Sequence, residues 1–221
     1  MNRINSIHDI RDEFKRLVSE CEFVIDKTGS KTVEIIGAQF IADEDSIFGT
    51  VNEEWNNREL NWYKSMSLNV NDIEAPVPAV WQSVSSKEGI QGRINSNYGW
   101  CVWSQENGSQ YDNVVAELKR NPDSRRGQMI YTRPTMHTDW NKDGMSDFMC
   151  CSNTVHHIRL GQLVTNVYFR SNDAVFGYKG DYHWMKHVHE NLANDLNIEP
   201  GNIIWNAASL HVYERHFKFI A

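Results

Sequence analysis

One α+β domain is the fold that this sequence predicts, and three observations carry it. Residues near the N-terminus repeat apolar positions at helical spacing, while later runs alternate around glycine turns as strands do. Strand-like and helix-like segments follow one another without a linker, an internal repeat or a low-complexity stretch. The 221 residues, 40% hydrophobic and 23% charged, suffice for one large core.

Ile7 to Cys21 places Ile7, Ile10, Phe14, Leu17 and Val18 on one helical face. Phe23 to Phe40 reads as short strands around the turn Lys27-Thr28-Gly29-Ser30. Asn52 to Lys64 is a helix, and Asp72 to Pro78 a loop broken by Pro76 and Pro78. Tyr111 to Arg120 is a short helix stopped by Asn121-Pro122-Asp123, Gln128 to Arg133 a strand, and Met136 to Asp147 a polar loop. Val155 to Ile158 and Leu163 to Phe169 form a hairpin through Leu160-Gly161-Gln162, since glycine tolerates positive φ. Asp181 to Leu196 is a helix, and Asn202 to Phe219 holds a strand around Leu210 to Tyr213.

A net charge of −7 with no long basic run argues against a broad nucleic-acid surface. Four cysteines without a disulfide pattern, including adjacent Cys150 and Cys151, suit a reducing, cytoplasmic setting. The N-terminal fifteen residues carry no apolar signal region, and no stretch approaches the roughly 20 apolar residues of a membrane span.

Closing the hairpin brings Cys150 back beside Arg170 and Ser171, with Asp173 and Asp181 following. A guanidinium eases ionisation of a neighbouring thiol, and the thiolate is the nucleophile. Adjacent strand residues face opposite sides, so only one of Cys150 and Cys151 can enter a pocket. Cys150 is the candidate nucleophile and Cys151 the alternative. Arg125 and Arg126 offer two guanidinium forks suited to phosphate. Asp139-Trp140-Asn141-Lys142-Asp143-Gly144 imitates half a calcium loop, but the position of the bidentate Glu falls on Cys150. His156 and His157 point apart in a strand, and His183 and His187 share a helix face without a third ligand, so no metal is expected.

Lys27-Thr28-Gly29, Glu59-Leu60-Asn61-Trp62, Tyr98-Gly99, Pro122-Asp123-Ser124-Arg125-Arg126, Cys150, Arg170-Ser171-Asn172-Asp173 and His211-Val212-Tyr213 occur in this order. Together, from about Phe23 to Phe217, they resemble the thymidylate synthase family. Asp26 to Gly29, Glu34 to Ala38, Arg58-Glu59-Leu60, Ile94 to Trp100, Lys142 to Cys150 and Ile204-Trp205-Asn206 resemble the phage deoxycytidylate hydroxymethylase branch.

The resemblance implies a mixed twisted sheet covered by helices, a homodimer formed through the sheet face, and one-carbon transfer from 5,10-methylenetetrahydrofolate to C5 of a pyrimidine nucleotide. It implies Cys150 as the nucleophile at C6 and Glu59 as an acid/base acting through water. Arg170 and Ser171 would bind the phosphate, joined by Lys27 and, across the dimer, by Arg125 and Arg126. His211 and Tyr213 would meet the deoxyribose hydroxyl, Asp173 would join the substrate-binding set, and Trp81 and Tyr98 would lie near base and folate. Asp181 stands where thymidylate synthases carry Asn. A carboxyl accepts from the N4 amine of cytosine and, when protonated, donates to N3. The expected substrate is therefore dCMP and the product 5-hydroxymethyl-dCMP. A methylating synthase, a CMP hydroxymethylase and a non-catalytic nucleotide- or RNA-binding paralogue are the alternatives. Relatives continue beyond the His211 motif with a segment that closes over folate, so closure is expected to be weakened in a chain ending at Ala221.

Overall fold

The computed structural model describes residues 5–26 and 29–220. Lys27, expected at the phosphate, lies outside them. In chain order the elements are α1 (Ile7–Ser19), β1 (Val24–Ile25), β2 (Lys31–Ile41), α2 (Glu53–Ser65), α3 (Ala79–Val84), α4 (Tyr98–Trp103), α5 (Gln110–Arg120), β3 (Gly127–Ile130), α6 (Met136–Asp139), β4 (Cys151–Arg159), β5 (Gln162–Phe169), β6 (Asn172–Asp173), α7 (Gly177–Leu196) and β7 (Glu199–Tyr213).

The strands form one mixed sheet ordered β1-β2-β7-β5-β4-β3, with β6 also paired to β7. β5 and β7 are parallel, which requires a long crossover, and α7 supplies it. The other neighbours on the path are antiparallel. Alternate residues Leu163, Thr165, Val167 and Phe169 of β5, with Ile203, Trp205 and Ala207 of β7, are buried with the helices. Tyr168 and Ile36 remain exposed, Ile36 at 72%.

The hairpin turns as expected at Leu160 and Gly161, both at positive φ (51° and 77°), while pairing with β3 and β5 carries the start of β4 to Cys151, four residues before the expected Val155. Two boundaries differ more. α7 starts at Gly177, without a side-chain cap, so Asp181 sits a full turn inside the helix rather than at its N-terminus. The segment expected to hold a strand at Leu210 to Tyr213 is one 15-residue strand, whose start at Pro200-Gly201 reads locally as a breaker. Pairing to β5 along its first half and β2 along its second overrides that signal. The polar loop of Met136 to Asp147 contains the short helix α6 and a 3₁₀ turn at Lys142–Gly144. The strand expected to reach Arg133 ends at Ile130.

Candidate active site

Cys150 enters β4 directly opposite Arg170, whose N–H donates to the Cys150 carbonyl at 3.0 Å. The Arg170 guanidinium donates to the Phe148 carbonyl at 2.7 Å and the Met149 carbonyl at 3.0 Å, and lies 4.7 Å above the Phe148 ring. Its Nη2 stands 3.6 Å from Cys150 Sγ. The half-buried Cys150 thiol is nevertheless pushed up to about 11. Burial is the larger influence; Arg170 opposes it, while Asp181 and Asp147 reinforce it. The easier ionisation expected from Arg170 alone is therefore outweighed. Cys151 is 0% exposed and belongs to the hydrophobic core.

The loop ahead of Cys150 is anchored by buried Asp147. Its carboxylate accepts from the Asn95 and Ser96 N–H groups at 2.6 and 2.9 Å and from the Ser96 hydroxyl at 2.6 Å. Those residues immediately precede α4, whose N-cap is Asn97. Asp147 thereby ties the thiol loop to the helix that carries Tyr98.

Two more carboxyls complete the cleft. Glu59 of α2 is buried, not solvent-facing, and accepts from Trp81 Nε1 at 2.9 Å. Burial pushes it up to about 7 against that hydrogen bond. Gly180 lies against it: a Cβ there would stand 2.9 Å from Glu59 Oε2. Asp181, partly exposed, accepts from the Tyr98 hydroxyl at 3.2 Å and from Asn172 Nδ2 at 2.7 Å. Burial, then repulsion from Glu59, pushes Asp181 up to about 8, while Tyr98 and Asn172 pull it down. Near neutral pH both carboxyls are therefore partly protonated, and each can donate or accept a proton.

A family model described as thymidylate synthase matches residues 10–221. Deoxycytidylate 5-hydroxymethyltransferase of Enterobacteria phage T4 is 52% identical over 222 residues, covering 97% of this chain and 89% of that protein. The phage T2 enzyme of the same name gives the same figures. The chain belongs to the thymidylate synthase family. Thymidylate synthase of Buchnera aphidicola is more distant, 25% identical over 94% of this chain and 79% of its own length.

Within that family fold, Cys150, Arg170, Glu59, Trp81, Tyr98 and Asp181 are linked by direct contacts or mutual electrostatic influence. Ser171 is half-buried beside them. Asp173 uses Oδ1 to accept from the Val175 and Phe176 N–H groups at 2.8 and 3.4 Å, which closes the turn into α7. It also lies opposite His211 in the β6–β7 pairing. His211 is buried on β7, and the partly exposed Tyr213 ring packs edge-on to it at 5.0 Å. Arg125 and Arg126 are exposed before β3, and Arg126 pairs with Glu117 at 2.7 Å. No contact joins them to the Cys150 cluster among the described residues.

Asn172, Gly180 and Asp147 escaped sequence reasoning as supporting residues. Asn172 and Asp147 lie inside quoted motifs, but their partners are distant in sequence. The only local sign of Gly180 is a glycine within a helical segment, next to Asp181.

Proposed function

We propose that the protein converts dCMP, 5,10-methylenetetrahydrofolate and water into 5-hydroxymethyl-dCMP and tetrahydrofolate. The observation that carries this reading is Asp181: an acid stands in the cleft beside Cys150, held by two donors and pushed up to about 8. In protonated form it matches the donor N4 and acceptor N3 of cytosine. Relatives 52% identical bear the name of that activity.

Cys150 gives up its proton with Arg170 offsetting part of the opposing effect of burial, adds its sulfur to C6 and makes C5 nucleophilic. Asp181 neutralises charge developing along N3 and N4. C5 attacks the methylene of the folate; its hydrogen then leaves as a proton, with Glu59 acting through water, as the bond from that methylene to the folate nitrogen breaks and tetrahydrofolate departs. Water then adds to the exocyclic methylene as the C6–S bond breaks and the thiolate returns. Arg170, Ser171 and Lys27 hold the phosphate, and His211 and Tyr213 the sugar hydroxyl. Arg125 and Arg126 reach the phosphate of a second copy docked on the open sheet face, where Ile36 and Tyr168 are exposed.

The cleft suits a reduced folate. Trp81 is half-buried, its ring packed edge-on at 5.2 Å from Trp62 and its N–H committed to Glu59. It offers a fixed aromatic wall beside a buried acid. Trp81 and Tyr98 would hold the folate, which supplies the one-carbon unit when bound. A free thiol of this kind suits a reducing cytoplasm.

The decisive experiment is tritium release from [5-³H]dCMP against [5-³H]dUMP, with Cys150→Ser and Cys151→Ser alongside. Release from dCMP that is lost in C150S alone is expected. Faster release from dUMP, or release that survives in C150S, overturns the assignment. Formation of dihydrofolate during turnover would make the protein a methylating synthase instead.

A further inference from the structure

Asn172 is 2% exposed and bridges two side chains. Its Oδ1 accepts from Trp205 Nε1 at 3.2 Å, and its Nδ2 donates to Asp181 Oδ2 at 2.7 Å. An indole nitrogen is a donor only. Turning the amide over would set two donors face to face, so the NH₂ end must point at Asp181. Oδ2 of Asp181 is consequently an acceptor whether or not the carboxyl is ionised. Oδ1 meets the Tyr98 hydroxyl, which can donate or accept. The two oxygens are therefore inequivalent: one has a fixed role, and the other is free to carry the proton.

A lone protonated carboxyl is ambivalent toward pyrimidines. With the proton on one oxygen it pairs with the N4 amine and N3 of cytosine. With the proton on the other it pairs with O4 and N3–H of uracil. We infer that Asn172, oriented by Trp205, is the positioning residue that removes this ambivalence. It fixes Oδ2 as the acceptor for the exocyclic amine and leaves Oδ1 to carry the proton toward ring N3. This rests on the cytidylate reading above and goes beyond it, placing base selectivity in a residue pair that need not touch the base. The other ionisable groups acting on Asp181 or acted on by it are Glu59 and Tyr63 of α2, Tyr98 of α4, Asp173 of β6, and Cys150 and Cys151. None of them is an obligatory hydrogen-bond donor as the amide is.

The test is the affinity for dCMP and for dUMP, measured by calorimetry from about pH 6 to about pH 9, for wild type, Asn172→Ala and Trp205→Phe. The dCMP preference should fall about five- to tenfold in N172A, the worth of one hydrogen bond. The pH dependence of dCMP binding should also move upward, because a donor favouring the ionised carboxyl is gone. A merely structural role would leave that profile in place. W205F removes the N–H together with one ring of a fully buried indole, and keeps a phenyl ring facing Phe169, on which Trp205 is stacked at 4.8 Å. It should move both readouts the same way by less, and it decides the matter if N172A fails to fold. Unchanged preference and pH dependence in the folded variants overturn the inference and leave the cytidylate reading intact. A wild type without dCMP preference overturns both.

Discussion

Two groups of buried ionisable side chains lie in this fold and are handled in opposite ways. In the cleft, Glu59 and Asp181 are pushed up to about 7 and about 8. Between the sheet and α7, His156 is pushed down to about 3 and His189 is also lowered, each mainly by burial. The histidines belong to a closed chain of hydrogen bonds. The Gly201 carbonyl can only accept, so His189 donates to it through Nε2 at 3.2 Å. Neutral His189 then accepts at Nδ1 from the Thr165 hydroxyl at 2.8 Å. Thr165 accepts from His156 Nδ1–H at 2.9 Å, and His156 Nε2 accepts from the Thr154 hydroxyl at 2.9 Å. Every imidazole nitrogen is used. The cleft carboxyls keep acceptor positions beyond their donors, and Asp181 is partly exposed. A displaced pKa alone does not distinguish the two groups; hydrogen-bonding capacity left open does.

The contrast can be broken by substitution. The largest expected effect is Glu59→Gln, which keeps shape and an acceptor for Trp81 but cannot exchange a proton. Turnover of dCMP should fall about 10²- to 10⁴-fold with stability preserved. A loss under threefold in a kinetic assay would remove Glu59 from the proton path. Thr165→Val should do the reverse, costing about 2–4 kcal/mol in denaturant unfolding because it strands two imidazole nitrogens. Its dCMP to dUMP ratio should not change. Gly180→Ala comes next: the added Cβ must displace the Glu59 carboxyl. We expect kcat to drop about 10- to 100-fold, KM to hold, and the helix to be unharmed. Unaltered kcat would show that the Glu59 position is not critical.

The smallest effect is in pH. Carboxyls raised on folding are protonated where the unfolded chain would ionise them. Their contribution to stability therefore declines as pH climbs from about 4 through about 8. Histidines lowered on folding stay neutral where the unfolded chain gains protons, so theirs declines as pH drops below about 6.5. Thermal unfolding against pH should show both limbs. E59Q should flatten the alkaline limb and leave the acid one.

Much of the fold was legible because its signals are local. Ile7 to Leu17 shows its buried face by spacing, and Leu160-Gly161 marks the turn that sets Cys150 opposite Arg170. The start of α7 was not legible, since Phe176 supplies no side-chain cap while Asp181 imitates one. The continuity of β7 was hidden because its stability comes from strands distant in sequence. The same divide runs through the site. Cys150, Arg170, Glu59 and Asp181 stand in motifs, whereas the Trp205–Asn172–Asp181 relay and the Glu59–Gly180 contact exist only after folding. Arg126 was legible as a charge, but its pairing with Glu117 was not.

His156 and Thr165 are direct cross-strand partners in the β4–β5 ladder. Sliding that ladder by one residue would turn the imidazole and hydroxyl to opposite faces and orphan both. The histidine chain thus proofreads the alignment of the hairpin. Cys150 and Arg170 close the far end of the same ladder, beyond a one-residue register shift between Cys151 and Asn153. The histidines hold the hairpin in line up to that bulge, and the bulge then sets sulfur and guanidinium in apposition before any nucleotide arrives.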